Sequence, residues 1–232
     1  MATAIVREAL AGSGIERVAS CHVALYDRAA PPGHRSAHLL PGARGLIVAG
    51  SAGPALFRAF RGRMRAAPGL WDAPDPYDAF VSTLLARSDA ALAAAGIAAR
   101  RFDAAVRAPV QLDFLALARL VGLGTRSPFR LYVDETVGPW WALRGAWLVD
   151  AEVEPALPHR PPCEGCAAPC VGGWHDAGAS PSATAQVRAR CVFGQEHRYD
   201  DDQIAYHYDR ARTTLRLRAE DRAASPGAAP EV

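Results

Sequence analysis

Three cysteines fall within one stretch rich in proline and glycine, PPCEGCAAPCVGGWHDAG at 161–178. Cys163, Cys166 and Cys170 follow the spacing C-x2-C-x3-C, and Cys191 lies further along the chain. Thiols this close on a punctuated loop can converge on one centre, because no helix or strand holds them apart. Such a segment is excluded from regular structure, so the rest of the chain must supply the core. The spacing is not that of a complete ferredoxin run, which is C-x2-C-x2-C-x3-C-P. A [4Fe-4S] cluster, zinc held by four thiolates, and zinc held by three thiolates with His175 all remain open on the residues alone. Cys21 stands apart on a strand-like segment and reads as a small buried hydrophobe.

The whole chain of 232 residues is half apolar, enough to bury one good core. Its formal charge is only +2, and every basic side chain but the histidines is arginine. A dedicated nucleic-acid binder would show a dense basic stripe, so no nucleic-acid partner is expected. No run of about 18 uncharged apolar residues suggests a membrane span. Arg7 and Glu8 fall where a signal peptide would be apolar, so a cytoplasmic protein with reduced thiols is expected.

Periodicity predicts a short helix over 3–11, a strand over 18–27 and a buried strand GLIVAGS at 45–51 that leads into a helix. The best helix spans 75–96, with Phe80, Leu84 and Leu85 at helical spacing and Gly96 as its stop. A strand over 102–106, a helix over 112–121 and two strands in FRLYV and ALRGAWLVD follow. This order predicts an α+β fold, a mixed sheet flanked by helices. Composition divides it into a core at 1–150, an irregular cysteine-bearing arm with a C-terminal helix at 151–220, and a tail at 221–232. Asp200 and Gln203 have the spacing of a capping box for that last helix.

Two further concentrations of unusual residues carry candidate chemistry. In GLGTRSPFRLYVDETVGPWWALRGAWLVD, glycines and the adjacent Trp140 and Trp141 sit between strands, either as a tight turn with core tryptophans or as a wall for a flat cofactor. GLGTRSP is neither a dinucleotide fingerprint nor a P-loop. In RCVFGQEHRYDDDQIAYHY, His197 beside Glu196 is either a solvated pair or an acid–base group.

Several segments follow in order the pattern of a known family: SCHVALYDRAAPPGHRSAHLLPGARGLIVAGS, then DPYDAFVSTLLA, then VGPWWALRGAWLVD, then RYDDDQIAYHYDRA. Together they resemble the cobalamin-processing proteins of the CblC type, whose strand-turn pattern is similar to G-G-W-F-A-I-R-G where this chain has Gly138 to Gly145. The arm, with LARLVGLG before the turn, resembles a sister group, the epoxyqueuosine reductase type, in which a ferredoxin module follows the same core. The resemblance spans roughly residues 15–215. It implies a nitroreductase-like fold that binds cobalamin (vitamin B12) base-off and reductively removes its upper axial group by decyanation or dealkylation. Reduced flavin or glutathione would be the reductant, and an electron donor or cobalamin-trafficking protein a partner. By the same resemblance Arg144 would receive the reductant's thiolate or another anion, with Arg198 as a second arginine. Asp113 is a candidate proton donor because it is an acid in the helix before GLG, near the expected cavity. Gly122, Gly124, Gly138, Trp140 and Trp141 would shape the corrin cavity. Cys163, Cys166, Cys170 and Cys191 would ligate at most one centre, since Trp174 falls where a fourth ferredoxin cysteine belongs. The chain departs from the first family in carrying Asp134-Glu135 where His-Pro precedes the turn. The rival readings implied are a corrinoid iron–sulfur reductase acting on an organic substrate, and a cobalamin chaperone with a structural zinc site.

Overall fold

The computed structural model describes residues 1–105, 112–128, 131–158, 160–171 and 181–224. Four antiparallel strands form the central sheet in the order β1 (Arg17–His22), β2 (Gly45–Ala52), β6 (Trp141–Val149) and β3 (Ala99–Asp103). A small ribbon pairs β4 (Thr125–Arg126) with β5 (Tyr132–Val133). The two central strands read as near-continuous apolar runs because both of their faces are covered.

One face carries α1 (Ala2–Ala9), α4 (Ala55–Ala66), α5 (Pro76–Ala94), α8 (Asp201–Tyr208) and α9 (Arg210–Ala223), which meet Ile47, Ala49, Trp147 and Val149. Phe57, Phe60, Tyr77 and Tyr206 pack there ring against ring at 5.1–6.2 Å between centroids. The other face carries α2 (Val23–Asp27), α3 (Ser36–Leu39) and α6 (Phe114–Leu120) over Leu46, Val48, Ala146 and Leu148. This is the α+β architecture that the sequence predicts, with the core split between two layers. Cys21 is buried in the second layer, and burial pushes its thiol up to about 11.

Local structure departs from the sequence expectation at several places, among them the strand expected over 102–106, which is Ala99–Asp103, and the tail expected from 221, where Asp221 is buried in the last helix. The strand expected through residue 27 ends at His22, whose Nδ1 accepts the Ala24 amide at 3.2 Å and starts α2. Asp200 makes no capping bond. Its carboxylate is instead taken bidentately by Arg58, at 2.9 Å to each oxygen. The long C-terminal helix breaks at Asp209, with φ −137° and ψ 63°, into α8 and α9. The arm expected to be irregular contains α7 (Pro181–Ala189).

α9 is anchored by a buried ion pair, Arg61 to Asp221 at 2.7 Å, with Trp71 donating its indole N–H to the other carboxylate oxygen at 3.1 Å. The start of the arm runs back across α1 and β1. Thr3 Oγ1 lies 2.8 Å from Ser20 Oγ and accepts the Glu154 amide, while Ser20 donates to the Glu154 carbonyl at 2.9 Å. No described helix is long and apolar enough to cross a membrane.

Candidate functional site

Ala49 and Gly50 are consecutive on β2, but on β6 their partners are Gly145 and Leu143, so Arg144 is the extra residue of a β-bulge. A bulge reverses the alternation of side chains along its strand and re-aims the inserted one. Trp141 and Leu143 before it pack with the second core, whereas Trp147 and Val149 after it pack with the first. The bulge delivers Arg144 to the helical side of the first core. Its Nε donates to Ser51 Oγ at 2.8 Å, and its guanidinium lies 5.1 Å from the Tyr77 ring centroid.

A second arginine reaches the neighbouring aromatic rings from the arm. Arg188, on α7, places its guanidinium 5.1 Å from the Tyr199 ring and 5.6 Å from that of Trp140. Trp140 and Tyr199 pack edge to face at 5.5 Å. His207, on α8, lies 5.6–6.2 Å from Tyr77, Tyr199 and Tyr206, and its Nε2 is 3.5 Å from Gln203 Nε2. His207 is exposed on one side while its ring sits beside these groups. Enclosure, then the charges of Arg144, Arg188 and Arg210, push its pKa down to about 3. It is therefore a neutral imidazole at physiological pH.

The cluster has donors to spare. Arg144 Nη2, Arg188 Nε, Trp140 Nε1 and the Tyr77 and Tyr199 hydroxyls are buried without a hydrogen-bond partner. Orphaned donors of this kind cost stability unless a ligand or water meets them. Their chemistry fits an anion or carbonyl-bearing group, such as a carboxylate, a thiolate or an amide oxygen. Nearby, Asp75 caps α5 by accepting the Asp78 amide at 3.1 Å. Burial, then the hydrogen bond and charge of Asp75, lift Asp78 to about 6 against the pull of Arg210 and Arg144.

The expected site residues divide. Arg144 and Trp140 stand in this cluster. Trp141 is turned to the opposite face, where Arg17 stacks 5.4 Å from its ring and pairs with buried Asp134 at 2.7 Å. Asp134 also accepts the amides of Thr136 and Val137, at 2.8 and 3.0 Å, so this departure from His-Pro fixes the turn by charge-assisted bonds. The three glycines accommodate neighbouring protein atoms. A Cβ at Gly122 would lie 2.3 Å from the Leu157 carbonyl oxygen, one at Gly124 3.0 Å from Trp141, and one at Gly138 2.0 Å from the Phe193 carbonyl oxygen. Arg198 is exposed on the loop before α8. Asp113 is exposed too, on the rim of a small cavity with Tyr26 and His34. Glu196 and His197 approach to 3.6 Å on an exposed turn. Arg188 was not singled out by sequence, since one arginine among many carries no signal until the fold places it.

The four cysteines gather in a separate satellite of the core. Cys163, Cys170 and Cys191 pack with Val133, Val187 and Phe193. Burial, then the mutual influence of the other thiols, raises Cys163, and burial also raises Cys170 and Cys191. By donor type the set suits zinc or an iron–sulfur cluster. Among the described residues, however, no three cysteine, histidine or acidic side chains are placed to hold a metal ion. His175 and Trp174 lie outside the described residues. The thiol satellite and the arginine cluster are joined by α7, where Val187 faces the thiols and Arg188 the aromatic rings. They are joined again where Gly138 (φ 58°) and Gly194 (φ 64°) interlock, each backbone occupying the space a Cβ on the other segment would need.

No family model and no curated protein matches the sequence. The fold matches the crystal structure of a C. elegans B12-trafficking protein CblC, a human MMACHC homologue, with a TM-score of 0.64 and 15% identity over 98% of this chain and 97% of that one. It also matches epoxyqueuosine reductase from Streptococcus thermophilus, with a TM-score of 0.50 and 15% identity over 78% of this chain and 52% of that one. The chain thus spans about half the length of the reductase. Both resemblances read from the sequence motifs recur as a shared fold.

Proposed function

We propose that this protein binds a corrinoid of the cobalamin class and reductively processes its upper axial ligand, with the arginine cluster holding the anionic end of the reductant. The observation that carries the reading is Arg144, set by a bulge on the central sheet against the Tyr77 ring with Nη2 buried and without a hydrogen-bond partner. The likeness to a B12-trafficking protein over nearly the full length of both chains supports the choice of ligand. The residues fit such a group, because peripheral amide oxygens of a corrin and carboxylates of a peptide thiol are acceptors for the orphaned donors.

When bound, the corrinoid supplies the cobalt redox chemistry, and the protein supplies orientation and electrostatics. Arg144 and Arg188 bind the carboxylate or thiolate of a reductant such as glutathione, and their positive charge favours the ionised thiol. Tyr77, Tyr199 and Trp140 exclude water and strengthen those contacts by lowering the local dielectric. His207, held neutral, adds hydrogen bonding without competing for the anion. Asp78, protonated on its carboxyl below about pH 6, adds no negative charge beside Arg144 and Arg210 there.

The test is spectroscopic. Cyanocobalamin or methylcobalamin added to the protein is expected to shift toward the base-off spectrum, and glutathione or reduced flavin then to release the upper ligand. Binding without release would reduce the protein to a chaperone. Absence of any spectral shift would overturn the corrinoid reading altogether.

A further inference from the structure

The thiol satellite contains one pair built differently from the rest. Cys163-Glu164-Gly165-Cys166 forms a tight turn, with the Cys166 amide donating to the Cys163 carbonyl at 3.4 Å and Gly165 at φ 77°. Such a turn brings its first and fourth Cα atoms within about 7 Å, the range a disulfide bridges. The backbone then bends again at Ala168, a non-glycine residue at φ 50°, and in doing so the Ala168 amide donates to Cys166 Sγ at 3.4 Å. A left-handed alanine is strained. Here the conformation puts an N–H on one sulfur and fixes its place at the end of the turn.

Cys166 also lines a cavity bounded by described residues. The cavity has a volume of about 440 Å³, with Pro161, Pro162, Val192 and Phe193 among its walls. Val192 is 60% exposed, while Cys170 and Cys191 are each only 7% exposed. Three charged side chains, Arg160, Glu135 and Glu164, also line it, and none of them has an ion pair or side-chain hydrogen bond among the described residues. Both signs of charge around an apolar floor suit a ligand carrying carboxylates and an ammonium group on a short chain.

We propose that Cys163 and Cys166 form a redox-active dithiol that exchanges with a zwitterionic peptide disulfide bound in this cavity. The Cys166 thiolate attacks one sulfur of the disulfide RSSR. The S–S bond breaks, a mixed disulfide forms, and one RS⁻ leaves and takes a proton. The Cys163 thiolate then attacks Cys166 Sγ and expels the second RS⁻. The net change is RSSR plus two protein thiols giving two RSH and the Cys163–Cys166 disulfide, with two electrons passing to RSSR. Two RSH reverse it. Arg160 pairs with a carboxylate of the ligand, and Glu135 or Glu164 with its ammonium group. The exchange uses none of the residues of the arginine cluster, so it stands apart from the corrinoid reading.

The test treats the reduced full-length protein anaerobically with oxidised glutathione and maps disulfides by tandem mass spectrometry. Trypsin leaves Cys163, Cys166 and Cys170 on one peptide and Cys191 on another, so the pairing can be read without a variant. A Cys163–Cys166 disulfide is expected. Cys163→Ser is expected to trap glutathione on Cys166, and Cys166→Ser to prevent both products. Arg160→Ala is expected to slow the reaction with oxidised glutathione by about three- to tenfold, and to leave cystamine, which has no carboxylate, unaffected. The proposal is overturned if all four thiols resist until a chelator removes stoichiometric zinc or iron, if another pair oxidises first, or if Cys166→Ser reacts at the wild-type rate. The cobalamin spectrum of the same samples reports separately on the corrinoid reading.

Discussion

Arg144 and Cys166 both stand where the backbone departs from regularity, but the departures are of different kinds. Arg144 is displaced by a bulge in the most buried strand pairing of the molecule, between β2 and β6, and its surroundings come from α5, α7, α8 and the loop at Tyr199. Cys166 is displaced by a four-residue turn whose glycine, thiol and hydrogen bonds all lie within residues 163–168. The first site is held by the whole core, so its side chains are prepositioned for binding. The second is held locally, with an accessible sulfur over buried ones, which suits a group that must change its covalent partner.

The comparison breaks most completely where the two regions interlock. Gly138→Val places a side chain 2.0 Å from the Phe193 carbonyl oxygen at a left-handed position. We expect a loss of about 3 kcal/mol or more in unfolding free energy, measured by denaturant titration, and faster modification of Cys170 and Cys191 by a thiol reagent. Arg144→Ala is expected to lower the glutathione-dependent release of the corrinoid's upper ligand by about 10- to 100-fold, while corrinoid binding changes little. Steady-state rates at fixed thiol, read beside the base-off spectrum, separate the two effects.

A smaller effect sharpens the electrostatic half of the contrast. Because the native pKa of Asp78 is raised to about 6 from 3.8, the native state holds more protons than the unfolded state between those values. The contribution of Asp78 to stability therefore falls as pH rises through that window. Above about pH 6 its carboxylate also sits near Arg144 and Arg210. The glutathione affinity of the cluster should decline by roughly threefold from pH 5 to 7.5, and Asp78→Asn should flatten that decline in a calorimetric titration. The smallest effect is expected at Arg198, exposed outside the cluster. Arg198→Ala should change the same rate by less than about twofold, and a loss as large as that of Arg144 would relocate the anion site.

Much of the scaffold was legible in the sequence because it rests on local patterning. The buried GLIVAGS strand, the helix at 75–96 with Gly96 at φ 71° beyond it, and the buried Cys21 follow from periodicity and glycine chemistry. The grouping of Cys163, Cys166 and Cys170 was legible too, since they are neighbours along the chain, but the Cys163–Cys166 turn was not. Asp200 shows the limit. Its spacing to Gln203 satisfied the capping rule, but Arg58, distant in sequence, took the carboxylate first.

The sequence by itself determined an α+β scaffold and a cysteine-bearing arm. Only the tertiary structure decided that adjacent Trp140 and Trp141 serve opposite faces, that Arg188 packs on the Trp140 and Tyr199 rings while Arg198 is exposed, and that neighbouring protein atoms fill the space beside Gly122, Gly124 and Gly138. The physical reason is one of range. Periodicity and turn chemistry are settled over a few residues. Which side of a sheet a residue faces after a bulge, and which of many arginines meets an aromatic ring, depends on long-range packing among segments that the spacing along the chain does not relate.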